Sequence, residues 1–183
     1  SLLPVMLDMK TKGVRVDVDK AHVVQGELQK SENALLKEIK EETGVLVEPW
    51  AAASVAKVFD SLSLSYNRTE GSNAPSFTKA FLANHMHPVA QKIVRVREFN
   101  KANTTFVETI LEHAHNGRIH CDFHPLRTDD GGTVTGRFSS SNPNLQQLPA
   151  RDPEIKKMIR GLFIPEEGCK WGSFDYASQE PRW

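Results

Sequence analysis

The feature that most constrains the fold of this chain is a change in the pattern of apolar and polar residues at Asn116-Gly117. Before it, apolar residues recur at helical spacing, with capping residues between the repeats. After it, short alternating segments are separated by stretches rich in Gly, Ser, Asn and Pro, a pattern typical of strands and ordered loops. The sequence therefore predicts an α+β fold in two parts, a helical part over 1–116 and the beginning of a sheet part over 117–183.

Helix signals dominate the first part. Asp19 is the expected N-cap of a long helix that runs to about Glu42, and Gly44 supplies its C-terminal stop. Apolar residues at spacings of four and seven mark one face of this helix: Val24, Leu28, Leu35 and Ile39. The elements expected next are a helix over about 52–61, a mobile loop over 61–76, a short helix from Ser76 to about Asn84, and a long helix from Pro88 to about His115.

The second part contains shorter elements. Strands are predicted over 118–124, 133–135, 162–164 and 171–176, with a turn at 129–132 and a short helix over about 153–160. Residues 139–149 carry too many Ser, Asn and Pro residues for regular structure.

Charge and cysteine content limit the classes of function. The 183 residues carry 23 basic and 23 acidic side chains, so a strongly basic nucleic-acid-binding surface is not implied by the whole chain. Residues 61–128 carry 8 basic and 5 acidic side chains, a local net of +3 that could face a polyanion or be a solvated helix face. Arg95, Arg97 and Lys101 lie within two turns of the predicted long helix. Two cysteines cannot form a disulfide framework, and no membrane span or signal peptide is evident, so a cytoplasmic location is expected.

A loop rich in hydrogen-bonding side chains is the first candidate site. Between Thr135 and Pro149 it contains one guanidinium, three serine hydroxyls, two asparagines and two glutamines. The minor groove of a duplex presents acceptors at every base pair, so such side chains can bind there without strong sequence preference. The alternative is a surface loop whose amides bind its own backbone. The residues alone leave both readings open.

A carboxylate near the C-terminus is the second candidate site. Strand alternation over 171–176 would place Ser173 and Asp175 on the face opposite Phe174 and Tyr176, which aims the carboxylate out of the core. The alternative is an ordinary aspartate that caps the following turn.

A histidine-rich group is the third candidate, and it is the weakest. It consists of His113, His115, His120, Cys121 and His124. Imidazole and thiolate are the usual zinc ligands, but no C-x2-C pair exists, and alternation sends His120 and Cys121 to opposite strand faces. A metal-stabilised structural domain is therefore a disfavoured reading.

Five segments, taken in order, resemble the polymerase region of family A DNA polymerases, the bacterial DNA polymerase I group. They are Gly13-Val14-Arg15-Val16-Asp17; Asn73-Ala74-Pro75-Ser76; Asn103-Thr104-Thr105-Phe106; Thr135-Gly136-Arg137-Phe138-Ser139-Ser140 with Pro143-Asn144-Leu145-Gln146; and Asp175-Tyr176 with Glu180 and Arg182. The resemblance extends over essentially the whole chain. It implies that residues 1–116 form the helical thumb and residues 117–183 the first part of an antiparallel-sheet palm, ending at motif A.

The resemblance also implies a reaction and its participants. A primer 3′-hydroxyl attacks the α-phosphate of a deoxynucleoside triphosphate on primer-template DNA, with two Mg²⁺ ions in the complete enzyme. The catalytic candidates are Asp175, Glu180 and Arg182. Asp175 and the Tyr176 carbonyl match metal ligands, and Glu180, beside Tyr176 in the nucleotide site, matches the residue that excludes a ribose 2′-hydroxyl. The residues expected to contact DNA are Arg137, Ser139, Ser140, Asn144, Gln146 and Gln147 in the loop, and Arg97, Lys101, Asn103 and Thr104 in the long helix.

The chain departs from the family pattern at motif A, where Ala177-Ser178-Gln179 and Pro181 replace the usual residues, a form more typical of phage polymerases. Gln147 also replaces a usual Asn. The fingers and the second catalytic carboxylate do not follow, so the chain is expected to be a fragment that does not extend primers without the missing C-terminal segment. A non-catalytic duplex-DNA-binding module is the alternative function.

Overall fold

The computed structural model describes residues 2–128, 131–174 and 177. These residues form seven α-helices and six short strands, and this mixture of helices and small antiparallel ladders confirms the α+β prediction. The helices are α1 (Leu3–Lys12), α2 (Val18–Thr43), α3 (Ala52–Ser61), α4 (Lys79–Asn84), α5 (Pro88–Lys101), α6 (Glu108–His113) and α7 (Pro153–Arg160). The strands are β1 (Val14–Arg15), β2 (Asn67–Arg68), β3 (Pro75–Ser76), β4 (Arg118–Ile119), β5 (Asp122–His124) and β6 (Ser139–Ser141).

Helix α2 begins two residues earlier than its sequence indicates. Its N-cap is Asp17, whose carboxylate accepts a hydrogen bond of 2.9 Å from the backbone N–H of Lys20. The expectation that Asp19 caps the helix is wrong, because Asp19 already lies within the first turn. The other end is as expected: Gly44 adopts a left-handed conformation with φ of 71°, which a residue without a Cβ accepts at no steric cost.

Helix α5 continues into α6 through a π-helical turn over Ala102–Val107. The predicted long helix from Pro88 is therefore confirmed, and it ends at His113. The wider turn, which the sequence pattern did not indicate, inserts an extra residue and shifts the side chains that follow around the axis. It brings Asn103 into the core, where the residue is 4% exposed.

The region expected to be a mobile loop, 61–76, contains regular structure. Strands β2 and β3 form an antiparallel ladder in which Asn67 pairs with Ser76 and Arg68 with Pro75. Ser76 therefore belongs to a strand, and Thr78 caps α4 instead through a hydrogen bond of 3.2 Å from the N–H of Phe81. The expected cap at Ser76 is wrong for this reason.

The single strand predicted over 118–124 is two strands with different partners. Strand β4 pairs with β1, matching Val14 with Ile119, whereas β5 pairs with β6, matching Phe123 with Ser140. Gly13 is required where β1 begins, since a Cβ at that position would lie 2.6 Å from the carbonyl oxygen of Ile119. The ladder between β1 and β4 thus joins the two parts of the chain.

Four other expectations for the second part are wrong over the described residues. Residues 133–135 form no return strand, and residues 171–174 form no regular structure and are exposed. The end of that predicted strand, 175–176, and positions 129 and 130 of the predicted turn lie outside the described residues. Residues 162–164 contribute only one bridge, from Phe163 to Val16. Regular structure occurs instead within 139–149, where β6 is followed by a 3-10 turn over Leu145–Gln147. Strands this short depend on the partner that pairs with them, so the alternation of residues does not locate them.

The buried side chains form two cores. The helical core lies between 39 and 96 and contains Ile39, Val47, Val55, Ala56, Val58, Phe59, Phe77, Leu82, Val89, Ala90, Ile93 and Val96. The loop-side core draws on distant parts of the chain and contains Val16, Ala21, Val24, Leu28, Phe99, Ala102, Val107, Ile110, Ile119, Ile155, Ile159 and Leu162. None of the helices among the described residues is both long and apolar enough to cross a bilayer.

Candidate nucleic-acid interface

The polar loop predicted over 135–149 is anchored to β5 at its first half. The side-chain amide of Asn142 donates to the Asp122 carboxylate at 3.0 Å, and His124 Nε2 lies 2.7 Å from Ser141 Oγ. Lys10, from α1, forms a 2.5 Å ion pair with the same Asp122 carboxylate. These contacts hold the start of the loop against α1 and β5.

These contacts also fix the charge at the base of the loop. Hydrogen bonds from Lys10 and then Asn142 lower the pKa of the Asp122 carboxyl, which therefore remains ionised at neutral pH. The Lys10 ammonium compensates this negative charge, which would otherwise repel a nearby phosphate.

The second half of the loop is organised by its own amides. Ser140 Oγ donates to Asn144 Oδ1 at 3.1 Å, and the same oxygen accepts from the backbone N–H of Gln146 at 3.1 Å. The Gln146 amide donates to the carbonyl of Phe138 at 3.2 Å. Part of the polar content is thus used to shape the loop, as the non-functional reading of the sequence proposed.

The remaining surface of the loop is polar and accessible. Arg137, Asn144, Gln146 and Gln147 are exposed, Ser139 is half-buried, and Ser140 is buried. The Arg137 carbonyl accepts a hydrogen bond of 2.6 Å from Thr133, which fixes the backbone that carries the guanidinium. A loop that carries a cation and amides together on its surface is suited to phosphates and groove-edge acceptors.

The four residues predicted on the long helix have different environments. Lys101 and Thr104 are exposed, and the Thr104 hydroxyl donates to the Asn100 carbonyl at 3.0 Å. Arg97 instead donates to the carbonyls of Pro49 and Phe77 at 2.7 and 2.8 Å, and burial lowers the pKa of its guanidinium.

Asn103 is also directed into the protein. Its amide nitrogen lies 3.4 Å from Glu108 Oε1, and its Oδ1 is buried without a hydrogen-bond partner. A contact between DNA and either Arg97 or Asn103 would require these side chains to leave their present positions.

The long helix and the polar loop face each other across a small cavity of about 220 Å³. Thr105, Phe106 and Thr109 line it on the helix side, and Pro143, Asn144 and Gln147 line it on the loop side. Asn144 and Gln147 of the loop therefore lie across this cavity from Thr105, the residue that follows Thr104 in the long helix.

One feature that sequence reasoning missed is the placement of Arg95. The sequence grouped it with Arg97 and Lys101 as charge available to a partner. In the structure its guanidinium binds the carboxylates of Asp152 and Glu154 at the start of α7. No signal within the helix could have revealed this pairing, because the acids follow Arg95 by more than fifty residues.

The motif A candidates, Asp175, Tyr176, Glu180 and Arg182, lie outside the described residues, so their geometry is not part of this site. The histidine-rich group is dispersed among separate partners: His113 Nδ1 lies 3.0 Å from the Thr109 carbonyl, and His120 Nδ1 lies 2.8 Å from that of Lys10. Within 2–128, 131–174 and 177, no three His, Cys, Asp or Glu side chains are grouped as a metal site would require.

Comparison with known proteins identifies relatives over nearly the whole chain. The family model for DNA polymerase family A matches residues 18–183. A DNA-directed DNA polymerase of Pseudomonas phage M6 is 36% identical over 99% of the chain, and the thermostable DNA polymerase I of Thermus aquaticus is 33% identical over 99% of it. The chain spans only 28% and 22% of the lengths of these two relatives.

A solved structure shows a similar fold. The polymerase domain of Pol1 from M. smegmatis, in complex with DNA primer-template and dNTP, superposes with a TM-score of 0.72 at 24% identity. The superposition covers 89% of this chain and 28% of the chain of that structure.

Proposed function

The chain belongs to DNA polymerase family A, and from this premise we propose that it is the DNA-gripping part, with one catalytic carboxylate, of a template-directed DNA polymerase. The observation that carries the proposal is the continuous family match over 18–183, which includes both the polar loop and the Asp175 segment. The exposed amides and cation of that loop, next to the polar face of the long helix, support a duplex as the ligand.

We assign the two predicted regions accordingly, with residues 1–116 as the thumb and 117–183 as the first part of the palm. The helical core supports an independent thumb body, since its members all lie between 39 and 96. The loop-side core contains residues from both sides of position 116, so the two regions share one packed base.

In this proposal the polar loop contacts the part of the duplex that lies behind the primer end. Arg137, Asn144, Gln146 and Gln147 contact the minor groove or backbone, and Ser139 and Ser140 support them. The bond from Ser140 to Asn144 orients that amide before DNA arrives, which lowers the entropic cost of binding.

From the long helix, Lys101 and Thr104 contact the phosphate backbone. Arg97 and Asn103 contribute by holding the helix and its neighbours in place, as their inward hydrogen bonds suggest.

Asp175 is the proposed metal-binding residue, with the Tyr176 carbonyl as a second oxygen donor. Carboxylate and carbonyl oxygens are the donors that Mg²⁺ prefers, so this donor set fits the ion. Bound Mg²⁺ would supply charge neutralisation at the transferred phosphoryl group. Glu180 is proposed to select deoxyribose by occupying the space of a 2′-hydroxyl, and Arg182 to act with it near the incoming nucleotide.

The relatives come from phages and bacteria, which agrees with the cytoplasmic location expected from the cysteine content. Because the chain covers under a third of these relatives, primer extension is assigned to the full-length polymerase that carries it.

The decisive experiment is primer extension by that full-length polymerase, together with duplex binding. Asp175→Ala is expected to reduce extension to background while leaving duplex affinity nearly unchanged, because the carboxylate acts in the reaction and not in duplex binding. Glu180→Ala is expected to admit ribonucleotides. Duplex binding by a parent protein that shows no Mg²⁺-dependent extension would replace the proposal with the alternative, a non-catalytic duplex-binding module.

A further inference from the structure

Arg95 is a half-buried cation of the long helix whose guanidinium binds acidic groups of the protein. Its guanidinium donates to Asp152 Oδ2 at 2.6 Å and to Glu98 Oε2 at 3.2 Å, and it also binds the Glu154 carboxylate. The same group lies 4.3 Å from the centroid of the Phe99 ring. Three carboxylates and one ring are thus held by a single planar fork, an arrangement for which arginine is suited and lysine is not.

Two of these carboxylates are at the exit of the polar loop. Asp152 is the N-cap of α7 and accepts from the N–H of Ile155 at 2.8 Å, and this bond and the one from Arg95 lower the pKa of its carboxyl. Farther along α7, Arg160 Nε donates to the Pro149 carbonyl at 2.9 Å. Residues 149–152, which lead from the loop into α7, are therefore fastened at both ends.

The gross position of α7 does not depend on Arg95. Ile155 and Ile159 are buried in the loop-side core and attach the helix through apolar packing. Partly exposed ion pairs contribute little to stability by comparison. Removing the Arg95 guanidinium should therefore change the position of α7 and of residues 149–152 relative to the long helix, without unfolding either helix.

We propose that Arg95 is a positioning residue for duplex binding, which fixes the polar loop relative to Lys101 and Thr104 so that one duplex meets both surfaces. This inference rests on the proposed function, since it assumes that the loop and the helix grip the same DNA. Because its guanidinium binds Asp152 and Glu154, Arg95 acts in this proposal through the start of α7 and the loop that precedes it, and not by contact with DNA.

The test is duplex affinity of the full-length polymerase, measured by titration of primer-template DNA, with kcat measured in parallel. Arg95→Met keeps the apolar stem and removes the fork, and it is expected to weaken affinity about tenfold with kcat at saturating DNA little changed. Arg95→Lys should recover only part of the loss. The matched control is Lys92→Met, one turn earlier, whose ion pairs go to Glu38 and Glu42 of α2 and not to α7, and it should stay within about twofold of the parent.

A double mutant separates positioning from a general structural role. If Arg95 acts through the loop, Arg95→Met should cost much less in a Gln147→Ala background, so that the combined loss is smaller than the product of the single losses. Equal affinity of Arg95→Met and the parent, or losses that multiply, would overturn the inference while leaving the polymerase assignment intact. A parent polymerase that binds no duplex would remove the proposed function and this inference with it.

Discussion

The two cores of the molecule are built in different ways. The helical core is assembled from residues between 39 and 96, and its centre is Phe59, which contacts the rings of Tyr66, Phe77, Phe81 and His85. The loop-side core joins three stretches of the chain, over 16–28, 99–119 and 155–162. One core is local and has a cluster of aromatic rings at its centre, and the other is mostly aliphatic and made by long-range contacts.

Because of this difference, the two cores affect the stability of the molecule and the geometry of the candidate site to different degrees. The helical core can stabilise its helices without reference to the polar loop, since no loop residue belongs to it. The loop-side core includes α7 and β4, and Leu145 and Leu148 of the loop pack against it, so damage there reaches the candidate site directly. Stability and site geometry should therefore respond differently to equal losses of packing.

The largest expected effect comes from Phe59→Ala in the helical core. Phe59 is fully buried, and deletion of a buried phenyl group costs about 3–5 kcal/mol. Urea unfolding of the full-length polymerase should show this loss in the transition that includes the helical core. Duplex affinity of the molecules that remain folded should stay near the parent value, and a large loss of affinity would contradict the separation of the two cores.

Ile159→Ala tests the other core with a slightly smaller expected loss. Ile159 is also fully buried, and the substitution should cost about 2–5 kcal/mol of unfolding free energy. Because Ile159 attaches α7 beneath the loop exit, duplex affinity should fall as well, even at temperatures where the variant is folded. Unfolding curves and DNA titrations on the same preparation check both expectations, and unchanged affinity would show that α7 does not position the loop.

Asp17→Ala sharpens the comparison at the point where α2 begins, within the loop-side core. Loss of the bond from the Lys20 N–H should cost about 1 kcal/mol. Asp19→Ala is the matched control: it removes only a favourable charge in the first turn, so its cost should be smaller. Thermal unfolding of both variants ranks them, and a larger effect at position 19 would mean that the helix begins later than described.

The smallest effects are expected from pH. The pKa of Asp122 is lowered in the fold, first by Lys10, so its contribution is present above the unfolded value of about 3.9 and is lost as the pH falls below it. The pKa of the Lys92 ammonium, on α5, is raised by Glu42 and Glu38. The contribution of Lys92 to folding stability is therefore present below the unfolded value of about 10.4 and is lost as the pH rises through the raised value.

Asp122→Asn should accordingly reduce only the dependence of the unfolding free energy on pH in the acid range, and Lys92→Met only that in the alkaline range. Each change should be less than about 1 kcal/mol. Urea unfolding at pH 3, 7 and 11 would measure both ranges, with each variant as the other's control. A change in the opposite range would contradict the assigned ion pairs.

Elements governed by local signals could be predicted from the sequence. The helices over Ala52–Ser61 and Pro153–Arg160 occur at the expected positions, and Gly44 ends α2 as expected. Elements governed by distant partners could not. The break between β4 and β5 follows from their pairing with β1 and β6, and β1 lies about a hundred residues away from β4.

The candidate site divides in the same way. The composition of the polar loop indicated a hydrogen-bonding surface, and the exposure of Arg137 and Gln147 is compatible with it. The inward orientation of Arg97 and the pairing of Arg95 with α7 depend on carbonyls and carboxylates contributed by other elements. Side-chain type could suggest a cation near DNA, but only the packed structure tells which cations are already engaged.

The ladder between β1 and β4 has a consequence for how such chains can diversify. The chain departs from this ladder after Arg15 and returns to it at Arg118, so everything between forms a closed excursion with both ends at one place. The entropy of closing a loop rises only slowly with its length. The exposed turn of the β2–β3 hairpin, over 69–74, lies within this excursion and can therefore accept inserted residues, and even a foreign module, while the base that carries the polar loop stays in register.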